Sequence, residues 1–196
     1  MQESGLNIVI SLSTTGDGFY IWNEKKSLEA NLDLYCLMML VLADNALSAQ
    51  RSSKTIVPIL RTCFHLGSCY EYYQVSGEGL GANHFIVGDV TIDLARMIER
   101  ALPGQILIGN FHNFIDNDTQ PLSTMKFMDS AREHFALFEN ITLSREKITT
   151  IKCYLTGEKT EDGKFNISRY VIRDKHEYEH VVFRAPLNMQ SHVSIG

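Results

Sequence analysis

The chain has 196 residues and a mass of 22.2 kDa, with 44% apolar, 21% charged and 10% aromatic residues, a composition that excludes a disordered chain and suits one domain spanning 1–196. Its net charge of −5 and pI near 5.8 disfavour a general binder of nucleic acid or of an anionic membrane surface. The longest apolar run, Leu34 to Leu42, has nine residues, short of a membrane span, and the start MQESGLNIVIS has no basic segment leading into an apolar one, so neither a span nor a secretory signal is expected.

Asn7 to Ser13, rich in Ile, Val and Leu, reads as a strand. Thr15-Gly16-Asp17-Gly18 is a turn signal and Phe19 to Trp22 a second strand, which makes a β-hairpin with Asp17 at its tip. Ser27 is placed to cap a helix from Leu28 to about Gln50, with Glu29 in its first turn. The middle of that helix is apolar on all sides, as in a helix buried under other structure. Pro58 to Val75 reads as a long strand or hairpin, and Ser76 to Ala82 (SGEGLGA) as a flexible loop.

Gly88-Asp89 opens a helix carrying Ile92, Ala95, Met97, Ile98 and Leu102, and Pro103-Gly104 stops it. Gln105 to Gly109 is a short buried strand, and Thr124 to Phe138 an amphipathic helix. Thr149 to Thr156, Phe165 to Ile172 and Tyr178 to Arg184 read as strands, and the tail from Gln190 as loose. The order predicts an α+β domain with helices packed on a mostly antiparallel sheet, the hairpin 8–22 lying in the same sheet as 60–75 and 105–109.

Cys36, Cys63, Cys69 and Cys153 lack a CxxC pair and read as reduced thiols of a cytoplasmic protein. His176-Glu177-Tyr178-Glu179-His180 matches HExxH, but its β-branched and aromatic flanks place it at a turn and strand rather than on the helix that a zinc site needs. Gly77, Gly79 and Gly81 lack the Lys-Ser/Thr of a phosphate loop, and Asp116-Asn117-Asp118 lacks the Gly and terminal Glu of a calcium loop.

Two segments together resemble the class III nucleotidyl cyclase domain. STTGDGFYIW, residues 13–22, is similar to the family's GDGF hairpin, and VGDVTIDLARMIERALPGQILIG, residues 87–109, resembles its Gly-Asp, helix and PGQI-strand pattern. FHLGSCYEYYQV lies where the family has a central strand. The likeness is best over residues 8–110; the β-rich part 149–185 carries no diagnostic motif. It implies a ferredoxin-like cyclase fold, a homodimer, a purine nucleoside triphosphate as ligand and Mg or Mn as cofactor. In such chemistry the ribose 3′-hydroxyl attacks the α-phosphate and pyrophosphate leaves, with metal ions and cations stabilising the charge.

Carried over residue by residue, the resemblance gives Asp17 as a metal ligand and Arg96 as the catalytic, transition-state Arg. The position of the Asn expected before that Arg is Ile92, with Asp93 adjacent. The base-selecting positions fall on Ser13 and Phe85; the second metal Asp belongs to a strand before residue 1, and Lys152, Lys159 and Lys164 are candidates for a phosphate-gripping Lys. Ile92 and Phe85 cannot hydrogen-bond a purine or ribose, although Phe85 can stack on a base. The expectation is a cytoplasmic cyclase-homology signalling domain, weak or inactive in turnover. An active adenylate or guanylate cyclase whose first metal Asp lies outside the chain, or a non-catalytic interaction domain, are the alternatives.

Overall fold

The computed structural model describes residues 8–51, 57–75, 82–113, 121–162 and 165–193. In chain order it has β1 (Ile10–Thr14), β2 (Phe19–Asn23), α1 (Leu28–Arg51), β3 (Thr62–Phe64), β4 (Tyr70–Val75), β5 (Ala82–Val87), α2 (Asp89–Arg100) and β6 (Ile106–Gly109). There follow β7 (His112–Asn113), β8 (Leu122–Ser123), α3 (Thr124–His134) with a 3-10 turn at Phe135–Phe138, β9 (Thr142–Leu143) and β10 (Glu146–Cys153). β11 (Gly157–Lys159), β12 (Phe165–Ile167), β13 (Tyr170–Arg173), β14 (Glu179–Arg184) and β15 (Leu187–Val193) complete it. Among the described residues this is an α+β arrangement of three α-helices and several small, mostly antiparallel sheets.

The central element is a four-stranded sheet in the order β13-β14-β6-β3, with β3 parallel to β6 and the other pairs antiparallel. Side chains alternate across a strand, so adjacent residues serve opposite faces. Phe64, Ile106, Ile108 and Phe183 join the main core with α1 and α3, while Cys63, Leu107 and Val182 join a second cluster with Met97 of α2 and Ala101 just past its end. The sheet is therefore apolar on both faces, which explains the unbroken Ile106-Leu107-Ile108 run.

Helix α1 begins where Ser27 Oγ accepts the Ala30 N–H at 3.2 Å. Its residues Leu32, Tyr35, Cys36, Met39, Leu40, Ala43 and Leu47 recur at helical spacing and are buried. At 24 residues, with a mean hydropathy of 1.4 over an 18-residue window, α1 meets a membrane span in length and composition, which a search for unbroken apolar runs passes over. Here its buried face forms the core. Tyr35, Phe64, Phe127 and Phe111 make a chain of ring contacts, from Tyr35–Phe64 with centroids 5.0 Å apart to Phe111–Phe127 at 5.7 Å.

Four expectations are corrected. Phe165–Ile172 is not one strand: β12 pairs with β11, while β13 pairs with β14 in the central sheet. The β1–β2 hairpin forms its own ladder and lies against β5 rather than pairing into the central sheet. Pro58–Val75 is neither one strand nor one hairpin: β3 joins the central sheet and β4 pairs with β5. The tail from Gln190 is not loose, because β15 pairs antiparallel with β10 over 187–193. Residues 76–81 of the SGEGLGA loop (76–82) and Asp116-Asn117-Asp118 lie outside the described residues, and Ala82 opens β5.

Phe127 is fully buried at the centre of the ring chain. Phe127→Ala is expected to cost about 3–5 kcal/mol of stability, read as a lower urea midpoint with an unchanged slope.

Candidate functional site

The inner face of α2, the end of β3 and the start of β14 converge on one polar cluster. Asp93, Arg96 and Met97 stand at i, i+3 and i+4, so they share a side of α2. Met97 is buried against the sheet, and the other two follow it there. On β14, His180 shares the α2 face with Val182, two residues on. His65 follows Phe64, whose ring serves the opposite face.

Gly109 provides the space. It lies two residues beyond Leu107 on the α2 face and is directly opposite Val182. A Cβ on Gly109 would overlap the His65 ring. Gly88 has a similar role at the other end of α2: its φ is +148°, and a Cβ there would meet Ser68 O at 2.6 Å. The resulting cavity of about 290 Å³ is lined by His65, Asp93, Met97, Asn110, Glu179 and His180, among others.

The charged groups share partners. Asp93 has His65 Nε2 3.4 Å from Oδ2, and His180 Nδ1 and Arg96 Nη1 at 3.7 and 3.8 Å from Oδ1. Asp174 is 2% exposed at its side chain. Its Oδ1 accepts the backbone N–H groups of His176 at 2.8 Å and Tyr178 at 3.0 Å, which forms the turn between β13 and β14. Its Oδ2 faces Arg96 Nε at 3.0 Å and His180 Nε2 at 3.5 Å, neither an aligned hydrogen bond. Burial pushes the Asp174 carboxyl up, but the Tyr178 and His176 N–H groups, His180 and Arg96 outweigh it, so the group is held below its usual range. Burial is the largest influence on His65 and lowers it, opposed by Asp93 and assisted by His180. With both imidazoles neutral, Arg96 against Asp93 and Asp174 leaves one negative charge in excess.

The residues singled out in the sequence divide into two groups. Arg96 and Asp93 belong to this cluster. Asp17 is exposed at the tip of the β1–β2 hairpin, and among the described residues no hydrogen bond or ion pair links it to Arg96 or Asp93. Ser13 is half-buried on β1 opposite Tyr20, and Phe85 is 37% exposed on β5 opposite Tyr72. Ile92 is exposed at the start of α2, and Tyr20 donates from its hydroxyl to Thr91 O at 3.4 Å, which ties that hairpin to the helix. Lys152 and Lys159 are exposed, and Lys164 lies outside the described residues.

His65, Asp174 and the role of His180 were not singled out from sequence. The HExxH match did mark His180, and the segment is turn then strand, as its flanks indicate, with His176 exposed. Nothing local links His65 to Asp93, 28 positions on; only the fold does.

Three of the four thiols are disfavoured as nucleophiles by burial. Burial pushes Cys63 up to about 12 and Cys153 up to about 11, the latter opposed by the Tyr35 hydroxyl 2.9 Å away, and it pushes Cys36 up further. Among the described residues no group of three or more His, Cys, Asp or Glu is arranged to hold a metal ion. Among the described residues Asp17 offers a single carboxylate at the hairpin tip, fewer than the pair of carboxylates that the two-metal centre implied by the resemblance needs. In comparisons with known proteins, no family model, curated protein or solved structure matches the chain.

The sign for His65 follows from its lowered value. Above about pH 6.5 it is neutral in both the folded and the unfolded chain; as pH falls through its unfolded value the unfolded chain takes the proton first, and stability is lost. A limiting slope of about 1.4 kcal/mol per pH unit is expected from this one group. Urea unfolding at a series of pH values should show a shallower acid limb for His65→Gln than for the wild type. Equal slopes would place the acid sensitivity elsewhere.

Proposed function

We propose that this chain is a cyclase-homology signalling domain of the class III nucleotidyl cyclase type, with the family's ferredoxin-like fold, that acts as a homodimer and turns over nucleotide weakly or not at all. The resemblance of residues 13–22 and 87–109 supports the family. A hairpin at β1–β2 and the succession of β5, α2, Pro103-Gly104 and β6 are the elements that the resemblance calls for, although the hairpin stands outside the central sheet it was expected to join.

One observation carries the reading of poor turnover. A transition-state Arg must be free to meet charge building on phosphoryl oxygens. The Arg96 guanidinium is instead committed to Asp174, a carboxylate almost wholly buried, with Asp93 as a second counter-ion. Substrate contacts are also thinned, because Ser13, Phe85 and Ile92 stand at base-contacting and ribose-orienting positions. Phe85 still offers an exposed ring on which a purine can stack. The alternative of an active cyclase is favoured by one observation, the exposure of Asp17 at the hairpin tip, where a carboxylate is open to an ion held jointly with a second Asp from outside the chain.

Assembly is read from the outer face of the β1–β2 and β4–β5 ladders. Tyr72 is opposite Phe85 and Tyr70 opposite Val87, and all four are exposed on one side, at 61, 37, 78 and 52%. Leu12 and Phe19 of the adjoining hairpin are exposed as well. An apolar face of this kind is what a partner surface needs, and a second copy supplies it in this family. The protein is proposed to be cytoplasmic, as its unpaired cysteines suggest.

With ATP or GTP and Mg²⁺ or Mn²⁺, this chain is expected to give no measurable cyclic nucleotide. Loss of single charge-stabilising groups costs about 10²–10³ in rate, and several positions are altered together. Product that vanishes in Asp17→Ala and Arg96→Ala would establish the enzyme instead. Static light scattering is expected to give twice the 22.2 kDa chain mass, falling toward one chain in Tyr72→Glu. A monomer at high concentration would remove the homodimer from the reading.

A further inference from the structure

Strand β4 has one neighbour. It pairs antiparallel with β5 from Tyr70↔Val87 to Val75↔Ala82 without a bulge, and among the described residues no other backbone hydrogen bond reaches Tyr70–Val75. Its far edge therefore presents a row of unpaired N–H and C=O groups, and Tyr70, Glu71, Tyr72, Tyr73 and Gln74 are all exposed. Edges that stay single are blunted by proline, lysine, a bulge or a very short length. The segment YEYYQV has six residues, none of them proline or lysine, and its one charge is Glu71. That carboxylate is engaged within its own ladder, accepting from the Tyr73 hydroxyl at 3.0 Å and facing His84 Nε2 at 2.8 Å. Such an edge is open to the addition of another strand.

We propose that this edge pairs antiparallel with the same edge of a second copy, so that the two β4–β5 ladders become one four-stranded sheet with Tyr72 on the two-fold axis. Symmetry and side chains choose the register. Opposed residues of neighbouring strands share a face, so a two-fold axis normal to the sheet sets one residue opposite its own copy. Centring on Tyr70 or Gln74 leaves most of the strand unpaired. Centring on Glu71 sets two like charges opposite each other, which is destabilising. Centring on Tyr73 puts Tyr72 opposite a glutamine. Centring on Tyr72 avoids all three: Glu71 lies opposite the partner's Tyr73, an acceptor against a hydroxyl donor, and Tyr70 lies opposite the partner's Gln74. Because Tyr72 is opposite Phe85 within each ladder, the outer face then carries an unbroken row of four rings, Phe85 and Tyr72 from each chain, at cross-strand spacing. An unrelated strand would supply the backbone bonds but not this matched row, which selects a second copy as the occupant. The inference rests on the homodimer reading above and adds to it the strand and the register.

Backbone amide exchange in the full chain, read residue by residue by NMR at a series of concentrations, tests it without any variant. On β4 the N–H groups alternate between β5 and the free edge. The set facing β5 is expected to be protected at every concentration. The set on the free edge is expected to exchange freely in dilute samples and about tenfold more slowly once about nine chains in ten are paired, since exchange then proceeds through the unpaired tenth. Light scattering on the same samples gives the assembly state. A dimer whose edge N–H groups stay unprotected overturns the strand pairing and leaves the homodimer itself standing; a monomer throughout overturns both. The register is read by oxidation. Tyr72→Cys places two thiols at cross-strand distance and is expected to give a disulfide-linked dimer, with the wild type as control for the four native thiols. Thiols in Tyr70→Cys would stand about 13 Å apart, four residue steps along the strand, and are expected to give none. Crosslinking through Tyr70→Cys, or a dimeric Tyr72→Cys sample that does not crosslink, overturns the register.

Discussion

The strand β6 fixes how everything else is placed. Its four residues are all buried, which requires cover on both faces of the sheet, and their alternation decides which helix covers which face. Ile106 and Ile108 call for the large aromatic core under α1 and α3. Leu107 calls for α2 through Met97 and Ala101. At Gly109 the same alternation continues, but with no side chain to fill the α2 face. The gap is taken by the His65 ring, and polar groups gather around it where an apolar contact would otherwise be. The candidate site is thus the place where the packing pattern of one strand stops.

That origin bears on what the cluster is for. Polar groups removed from water must find partners, and an imperfectly paired set is costly. Here the pairing is uneven: Asp174 Oδ1 is well satisfied by two backbone N–H groups, while its Oδ2, His65 Nδ1 and His180 Nε2 have no aligned partner. An apolar filling of the same space would avoid this cost, as buried ion pairs are often no more stabilising than their hydrophobic replacements. The retention of Arg96 between two carboxylates and two imidazoles is therefore poorly explained as a stabilising device.

The sequence makes the local elements legible because their signals are local. Ser27 before an apolar run, Gly88-Asp89 and Pro103-Gly104 mark ends of α1 and α2, and the Thr15–Gly18 turn marks the first hairpin. The misread parts depend on partners far along the chain. The strand at Leu187–Val193 has no strong pattern of its own after Gln190; it is fixed by β10, about forty positions earlier. The hairpin β1–β2 is found correctly but assigned to the wrong neighbours, because an exposed outer face with Leu12 and Phe19 looks like a buried one in a string of letters. Arg96 and Asp93 are legible from a motif, whereas His65 and Asp174, which decide what Arg96 can do, carry no motif.

The same limit separates a motif from a mechanism. A Gly-Asp turn and an Arg some way along the chain are a pattern of letters. They do not say whether the guanidinium is available. Availability depends on Asp174, one oxygen of which lies 3.0 Å from Arg96 Nε and 3.5 Å from His180 Nε2. What Arg96 can reach is thus set by the turn between β13 and β14, which holds Asp174 and lies far along the chain from α2.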